Sequence, residues 1–291
     1  MEQTTIIHRC PPNRAIVLAN QTCVYCAKEL IGRRFTKEHV IGRRFVPKGF
    51  LNGEWNLIVR ACDACNHAKS DLEDDISAIT LQPDAWDRHP TDHPIRDSEA
   101  RRKAVKSKNR RTKNTVGKSV ERFDIQLPFG PGAKMTFGFV SPPQLDEDRV
   151  YQLCLMHSRA FFYWITYNAT SRRGGFWPGG FFPLILSVRS DWGNPIHQAF
   201  ADTVAQWEIR VQAIGANEHF KVAIRRHPSQ ACWSWAYEWN ANVRIVGFFG
   251  EKVIAQELVN SLPPLEWRSI NAVKRYREET PLSADRDKMF S

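Results

Sequence analysis

The sequence contains no apolar run long enough to cross a membrane. Its longest apolar stretches, such as residues 160–165 and 181–186, fall far short of the roughly 20 residues that a membrane-spanning helix needs. Residues 1–21 also lack the basic segment followed by a continuous apolar core that marks a signal peptide. We therefore expect a soluble, cytoplasmic protein with no membrane partner.

An excess of negative charge is absent as well. The 291 residues include 41 Lys and Arg against 31 Asp and Glu, which gives a formal net charge of +10. A basic balance favours an anionic partner, although a basic protein with no such partner has the same composition. Because 42% of the residues are hydrophobic and 25% are charged, the composition indicates a globular chain and excludes an intrinsically disordered one.

The seven cysteines lack the pattern of a disulfide framework in a secreted protein. Four of them form two Cys-x-x-Cys pairs, Cys23 with Cys26 and Cys62 with Cys65. Two such pairs are typical of a tetrahedral zinc site in a reducing compartment. Since four thiolates leave no position for a water molecule, the predicted zinc would be structural.

The segment between and just after these pairs carries polar residues suited to water activation, namely Glu38, His39, Asn56 and Asn66. An imidazole with an unperturbed pKa of ~6.5 accepts a proton near neutral pH. The pattern predicts a strand over residues 34–40, a second strand over 55–61, and a helix after Cys65. Because neighbouring residues on a strand point to opposite faces, Glu38 and His39 should flank a reaction centre.

Taken in order, these elements resemble the HNH, or ββα-metal, nuclease family over about residues 20–80. The matching segments are the two cysteine pairs, Thr-Lys-Glu-His-Val-Ile at 36–41, Asn-Leu at 56–57, and Asn-His-Ala-Lys-Ser-Asp at 66–71. The sequence departs from the family pattern in having glutamate where aspartate is commoner before the histidine. The proline that commonly follows the histidine closely comes only at Pro47.

The resemblance implies a role for each residue of the segment. His39 would deprotonate water, Glu38 and Asn66 would hold a catalytic Mg²⁺ or Mn²⁺, and Asn56 would fix the loop that carries the histidine. Lys69 could contact a phosphate. The products would carry 5′-phosphate and 3′-hydroxyl ends.

Each of these residues also has a structural alternative. Glu38 has the alternative of a surface carboxylate, and Asn56 that of an ordinary turn residue. Asn66 could cap the following helix, in which case it would not bind a metal, and His67 is a further possible ligand.

Basic residues surround the predicted site and suit a polyanionic backbone. Those expected to bind nucleic acid, besides Lys69, are Arg33, Arg34, Lys37, Arg43 and Arg44. A second basic run covers residues 101–113. The run could be an additional DNA-binding arm or a solvated linker helix.

The predicted fold class is α+β, with four regions. Residues 1–83 form the zinc-stabilised ββα-metal module, 84–122 a basic linker or helix, 123–262 an α+β domain with a mostly antiparallel sheet, and 263–291 a charged, loosely held tail. In the third region, aromatic residues alternate along residues 233–239, which favours a buried strand face over one that stacks bases or encloses a ligand.

These observations predict a metal-dependent HNH endonuclease that cleaves DNA, of the restriction or phage-defence type, with residues 123–262 providing recognition or regulation. One alternative is a zinc-stabilised DNA-binding protein without catalysis. Another is a nuclease that stays silent until its C-terminal domain binds a small-molecule or protein regulator. A homodimer is possible.

Overall fold

The computed structural model describes residues 8–10, 13–83, 93–269 and 275–290, which form a mixed α+β protein. The strands are β1 His8–Arg9, β2 Ile16–Val17, β3 Thr36–His39, β4 Leu57–Ala61, β5 Glu121–Pro128, β6 Lys134–Ser141, β7 Gly180–Val188, β8 Glu208–Gly215, β9 Phe220–Arg226, β10 Cys232–Trp239, β11 Val243–Gly250, β12 Arg268–Ser269 and β13 Arg275–Tyr276. The helices are α1 Asp63–Thr80, α2 Pro94–Lys106, α3 Glu147–Ile165, α4 Pro195–Val204 and α5 Lys252–Asn260.

A small sheet in the order β2-β4-β3 carries the predicted site residues. β3 and β4 are antiparallel, β2 is parallel to β4, and α1 follows β4 directly. Along β4 the side chains alternate: Leu57, Val59 and Ala61 are buried, while Ile58 and Arg60 are partly exposed. This period of two is what a strand covered on one face requires. The order strand, loop, strand, helix agrees with the order predicted from the sequence.

A six-stranded sheet in the order β1-β8-β9-β10-β11-β7 forms the second part of the molecule. All of its pairings are antiparallel except that of β1 with β8. Every residue of β10 is buried, and Trp235, Tyr237 and Trp239 have no exposed surface. The alternating aromatic residues therefore belong to the core, and the structure does not place them where they could stack bases.

One hydrophobic core runs through both sheets. It contains residues of the small sheet such as Val59, of α3 such as Phe161, and of the large sheet such as Tyr237. The Trp55 indole bridges the two parts by donating to the Ile214 carbonyl at 2.8 Å. The predicted boundaries at residues 83 and 122 remain predictions, and the core crosses them.

The charged tail is not loosely held where the structure describes it. The Asp287 carboxylate pairs with the buried Arg244 guanidinium, and Arg277 pairs with Asp191. Met289 and Phe290 are buried in a second core cluster on the large sheet. None of the helices in the described residues is long and apolar enough to cross a membrane.

Candidate active site and metal centre

The four paired cysteines converge on one point. Their sulfur atoms all lie within 4.8 Å of one another, and the Cys26 and Cys62 sulfurs are 3.7 Å apart. A tetrahedral zinc with bonds of about 2.3 Å places its sulfur ligands about 3.8 Å apart. The sulfur positions and the all-thiol donor set therefore fit a zinc ion. We refer to these residues as the four-cysteine cluster.

The two halves of the cluster come from different local structures. Cys23 and Cys26 lie in a tight turn, in which the Ala27 amide donates to the Cys23 carbonyl at 2.9 Å and Ala27 has a positive φ of 62°. Cys62 is the N-cap of α1 and Cys65 lies in its first turn. A metal here would join the turn before β3 to the junction of β4 and α1.

His39 ends β3 and is partly exposed. It lines a cavity of about 650 Å³ together with Arg43, Lys48 and Asn56. Burial lowers the pKa of His39, the positive charge of Arg43 lowers it further, and Glu38 acts in the opposite direction. A histidine with a pKa below its ordinary value is neutral near pH 7, which is the form that accepts a proton.

Glu38 is almost completely buried, and its carboxylate is engaged within the protein. The Glu38 Oε1 atom lies 2.8 Å from the Lys69 ammonium, which has no exposed surface. Burial alone would lower the pKa of Lys69, but Glu73 and Glu38 outweigh it and raise the pKa, so the ammonium stays charged. The expected phosphate contact of Lys69 is not what the structure shows, because α1 packs this side chain beneath β3.

Sequence reasoning missed Glu73, the second carboxylate on Lys69. Glu73 Oε1 lies 2.5 Å from Lys69 Nζ and accepts a hydrogen bond from the Gly42 amide at 3.2 Å. A Cβ atom at position 42 would overlap the Glu73 carboxylate, so any residue other than glycine there would require Glu73 to move. Lys69 in turn donates to the His39 carbonyl at 3.2 Å. The i,i+4 spacing of Lys69 and Glu73 could have indicated the pair, but nothing in the sequence indicates that it is buried.

Asn56 is buried and holds the backbone just after the histidine. Its Oδ1 atom accepts from the Ile41 amide at 3.1 Å, and its Nδ2 atom donates to the Ile41 carbonyl at 2.8 Å. Both bonds reach a residue far away in sequence, so Asn56 does more than close its own turn. Together Asn56, Lys69 and Glu73 hold the backbone at His39, Ile41 and Gly42.

We expect Asn56→Ala to destabilise the protein by about 1–3 kcal/mol, because the buried Ile41 amide and carbonyl both lose their partner. Urea unfolding followed by circular dichroism would measure the loss. Asn52→Ala, which changes a more exposed asparagine in the same cavity wall, is the matched control. Equal stability of the two variants would contradict the role given to Asn56.

Asn66 lies in the first turn of α1, where its amide donates to the Cys62 carbonyl at 3.0 Å. Because Cys62 occupies the N-cap position, the alternative that Asn66 caps the helix is wrong. The side chain of Asn66 is partly exposed. The neighbouring His67 is exposed, and its Nδ1 atom lies 2.7 Å from the Asp63 carbonyl.

The predicted nucleic-acid-binding cations fall into two exposed groups. Arg33, Arg34 and Lys37 lie before and on β3, and Arg34 is 3.6 Å from the Asp63 carboxylate. Arg43 and Arg44 lie in the loop after β3. The two groups therefore bracket the strand that ends in His39.

Comparison with protein-family models, with curated proteins and with solved structures finds no match for this chain. The likeness to HNH nucleases rests on the motif residues named above. What the structure itself gives is a mixed α+β protein whose four-cysteine cluster could hold a zinc ion.

Proposed function

We propose that this protein is a metal-dependent endonuclease of the HNH type that hydrolyses phosphodiester bonds in DNA. The observation that carries the proposal is the position of His39. A neutral imidazole lies in a cavity lined by Arg43 and Lys48, next to a backbone segment held by buried side chains.

The residues of the chain divide the chemistry between them. Hydrolysis of a phosphodiester needs a base for the water and positive charge near the phosphate oxygens. His39 would take the proton from the water, while Arg43 and Lys48 supply positive charge in the same cavity. Lys69 holds the carbonyl of the histidine and Asn56 holds the backbone two residues after it, which keeps the base in position.

Two kinds of metal belong to the proposal. Zinc in the four-cysteine cluster would hold the small sheet to α1. Glu38 and Asn66 would hold Mg²⁺ or Mn²⁺, since carboxylate and amide oxygens are the donors that hard ions prefer. Lys69 already pairs with Oε1 of Glu38, so such an ion would share this carboxylate with the ammonium. When bound, such an ion adds positive charge at the phosphate.

Plasmid cleavage in Mg²⁺ or Mn²⁺ tests the proposal. We expect His39→Ala to lower the single-turnover rate by about 10²–10⁴-fold, the usual contribution of a general base. His227→Ala replaces a partly exposed histidine just after β9, outside the site, and should cleave at close to the wild-type rate. Equal cleavage by wild type and His39→Ala, with zinc retained in both, would remove His39 from its role.

The pairing of Glu38 with Lys69 favours a second candidate, a zinc-stabilised DNA-binding protein without catalysis. In that case the ammonium already neutralises the carboxylate and no second ion is needed. This candidate expects salt-dependent DNA binding with no nicking in any divalent ion. Cleavage that starts only after a small-molecule extract is added would instead indicate regulation through the C-terminal part of the chain.

A further inference from the structure

A second groove adjoins the cavity of His39. It lies between the loop after β3 and helix α2 and has a volume of about 730 Å³. Its lining residues are Arg43, Arg44, Lys48, Ser70, Glu73, Asp74, Glu99, Arg102, Lys103, Lys106 and Ser107. Three of these, Arg43, Lys48 and Glu99, also line the cavity that contains His39. The two spaces are therefore neighbours, and we call the space along α2 the α2 groove.

The acidic residues of the α2 groove already have partners within the protein. Glu99 forms an ion pair with Arg102 at 2.7 Å, and Glu73 is bound to Lys69. Asp74 accepts a hydrogen bond from the Ser107 hydroxyl at 3.0 Å. The lining also contains six Lys and Arg side chains against these three carboxylates, so the charge of the groove is positive on balance.

The exposed cations of the groove are in the opposite situation. Arg43, Arg44 and Lys48 on one wall and Lys106 on the other form no ion pair with any described residue. Uncompensated cations on two facing walls produce a positive potential in the space between them. A polyanion is the ligand that this charge distribution favours.

The groove also contains a buried ammonium. Lys103 is only 4% exposed, and it donates to the Ser77 hydroxyl and the Arg44 carbonyl, both of which are uncharged. Burial lowers the pKa of Lys103 to about 8. The charges around it are Glu99 and Arg102 on its own helix and Asp74 and Glu73 on α1, and they do not offset the burial. Since its hydrogen-bond acceptors are neutral, the charge of this ammonium adds to the positive potential of the groove.

We propose that the α2 groove binds the phosphodiester backbone of the substrate strand beside the scissile phosphate, with α2 as its second wall. This inference rests on the proposed nuclease function, since it takes His39 as the position of the scissile phosphate. It also keeps the DNA-binding role expected for the basic run, but as part of a packed groove and not as a separate arm. Residues 101–106 belong to α2, and Arg110 pairs with Asp71 of α1 at 2.7 Å. The basic run is therefore held against α1, and its α2 part forms one wall of the groove.

The test measures binding apart from cleavage. In a His39→Ala background, a fluorescently labelled DNA duplex would be titrated at a series of NaCl concentrations and followed by anisotropy. Arg44→Glu and Lys106→Glu should each weaken binding by about tenfold or more and reduce the salt slope by about one. Lys252→Glu makes the same charge change at an exposed position of α5 outside the groove and should have a much smaller effect.

A third variant addresses the buried ammonium. Lys103→Met removes the charge and keeps a side chain of similar length, so it should also weaken binding and reduce the salt slope. If this variant fails to fold by circular dichroism, the two surface variants decide the question. Binding by Arg44→Glu and Lys106→Glu that equals binding by Lys252→Glu would overturn the inference, as would absence of DNA binding by the background protein.

The two proposals fail in different ways. If groove variants bind weakly but His39→Ala cleaves as fast as wild type, the role of His39 is lost and the groove remains a DNA-binding surface. If wild type cleaves and His39→Ala does not, while the groove variants bind normally, the nuclease function stands and the path along α2 is wrong.

Discussion

Cys62→Ser is expected to release the zinc and to unfold the small sheet and the start of α1. Cys62 is both a sulfur of the four-cysteine cluster and the N-cap residue that joins β4 to α1. Structural zinc sites have apparent binding free energies of about 10–16 kcal/mol, whereas a whole domain is stable by only about 5–15 kcal/mol. The loss of the ion therefore exceeds what the remaining contacts of this region can offset.

Zinc content by mass spectrometry and hydrogen exchange along the chain would measure this effect. Wild type should hold one zinc per chain, and Cys62→Ser should hold less and exchange rapidly over residues 16–80. Cys232→Ala replaces a buried thiol of β10 that is outside the cluster and should keep its zinc. Removal of the metal from wild type by a chelator should reproduce the Cys62→Ser exchange pattern. A Cys62→Ser protein with a full zinc content and wild-type exchange would refute the structural role of the ion.

Lys69→Met is expected to lower the free energy of unfolding by about 3–5 kcal/mol. The ammonium has no exposed surface and lies between Glu38 and Glu73 at 2.8 and 2.5 Å. Its removal leaves the buried Glu38 carboxylate and the mostly buried Glu73 carboxylate without a counter-charge, and loss of one partner of a buried ion pair is strongly destabilising. The His39 carbonyl also loses its donor, so cleavage should fall together with stability.

Urea unfolding of three proteins would measure the contribution of the Lys69 pair. Arg110→Met breaks an ion pair with Asp71 in which both side chains are partly exposed, and it should cost no more than about 1 kcal/mol. Adding Glu73→Gln to Lys69→Met should restore part of the stability, since it removes one of the stranded charges. Equal losses in the free energy of unfolding for Lys69→Met and Arg110→Met would show that the burial of Lys69 does not make its ion pairs more important for stability.

The local elements could be predicted from the sequence because each depends on residues close together in the chain. The alternation along residues 57–61 gives β4, and apolar residues at Leu72, Ile76 and Ile79 give the buried face of α1. The two Cys-x-x-Cys pairs predicted that their four sulfurs lie close together, because one zinc ion binds all four. The zinc site relates residues that are far apart in the chain, whereas the spacing of apolar residues relates only residues that are close together.

The surroundings of Lys69 could not be predicted, because they depend on which element packs against α1. The resemblance to HNH nucleases implied a phosphate contact for Lys69. In the structure β3 lies over that part of α1, so the ammonium meets Glu38 and Glu73 instead. The same reasoning applies to Glu73, whose partner Gly42 is far away in sequence.

The contacts of the C-terminal tail and of β10 also could not be predicted, because they depend on elements that are far away in the sequence. Composition suggested a loosely held tail, yet Asp287 finds the buried Arg244 and Phe290 enters a core cluster. Alternation predicted one buried face for β10, whereas all eight of its residues are buried. One face packs in the main core with α3 and the other in the second cluster with α4, α5 and the tail.

The most direct measurement is the single-turnover cleavage of an end-labelled DNA duplex by zinc-loaded protein in Mg²⁺ and in Mn²⁺, with the ends of the products identified. We expect wild type to leave 5′-phosphate ends and His39→Ala to be slower by two orders of magnitude or more. Wild-type protein that carries one zinc per chain, binds the duplex and cuts it in neither metal would contradict the claim that this imidazole activates water.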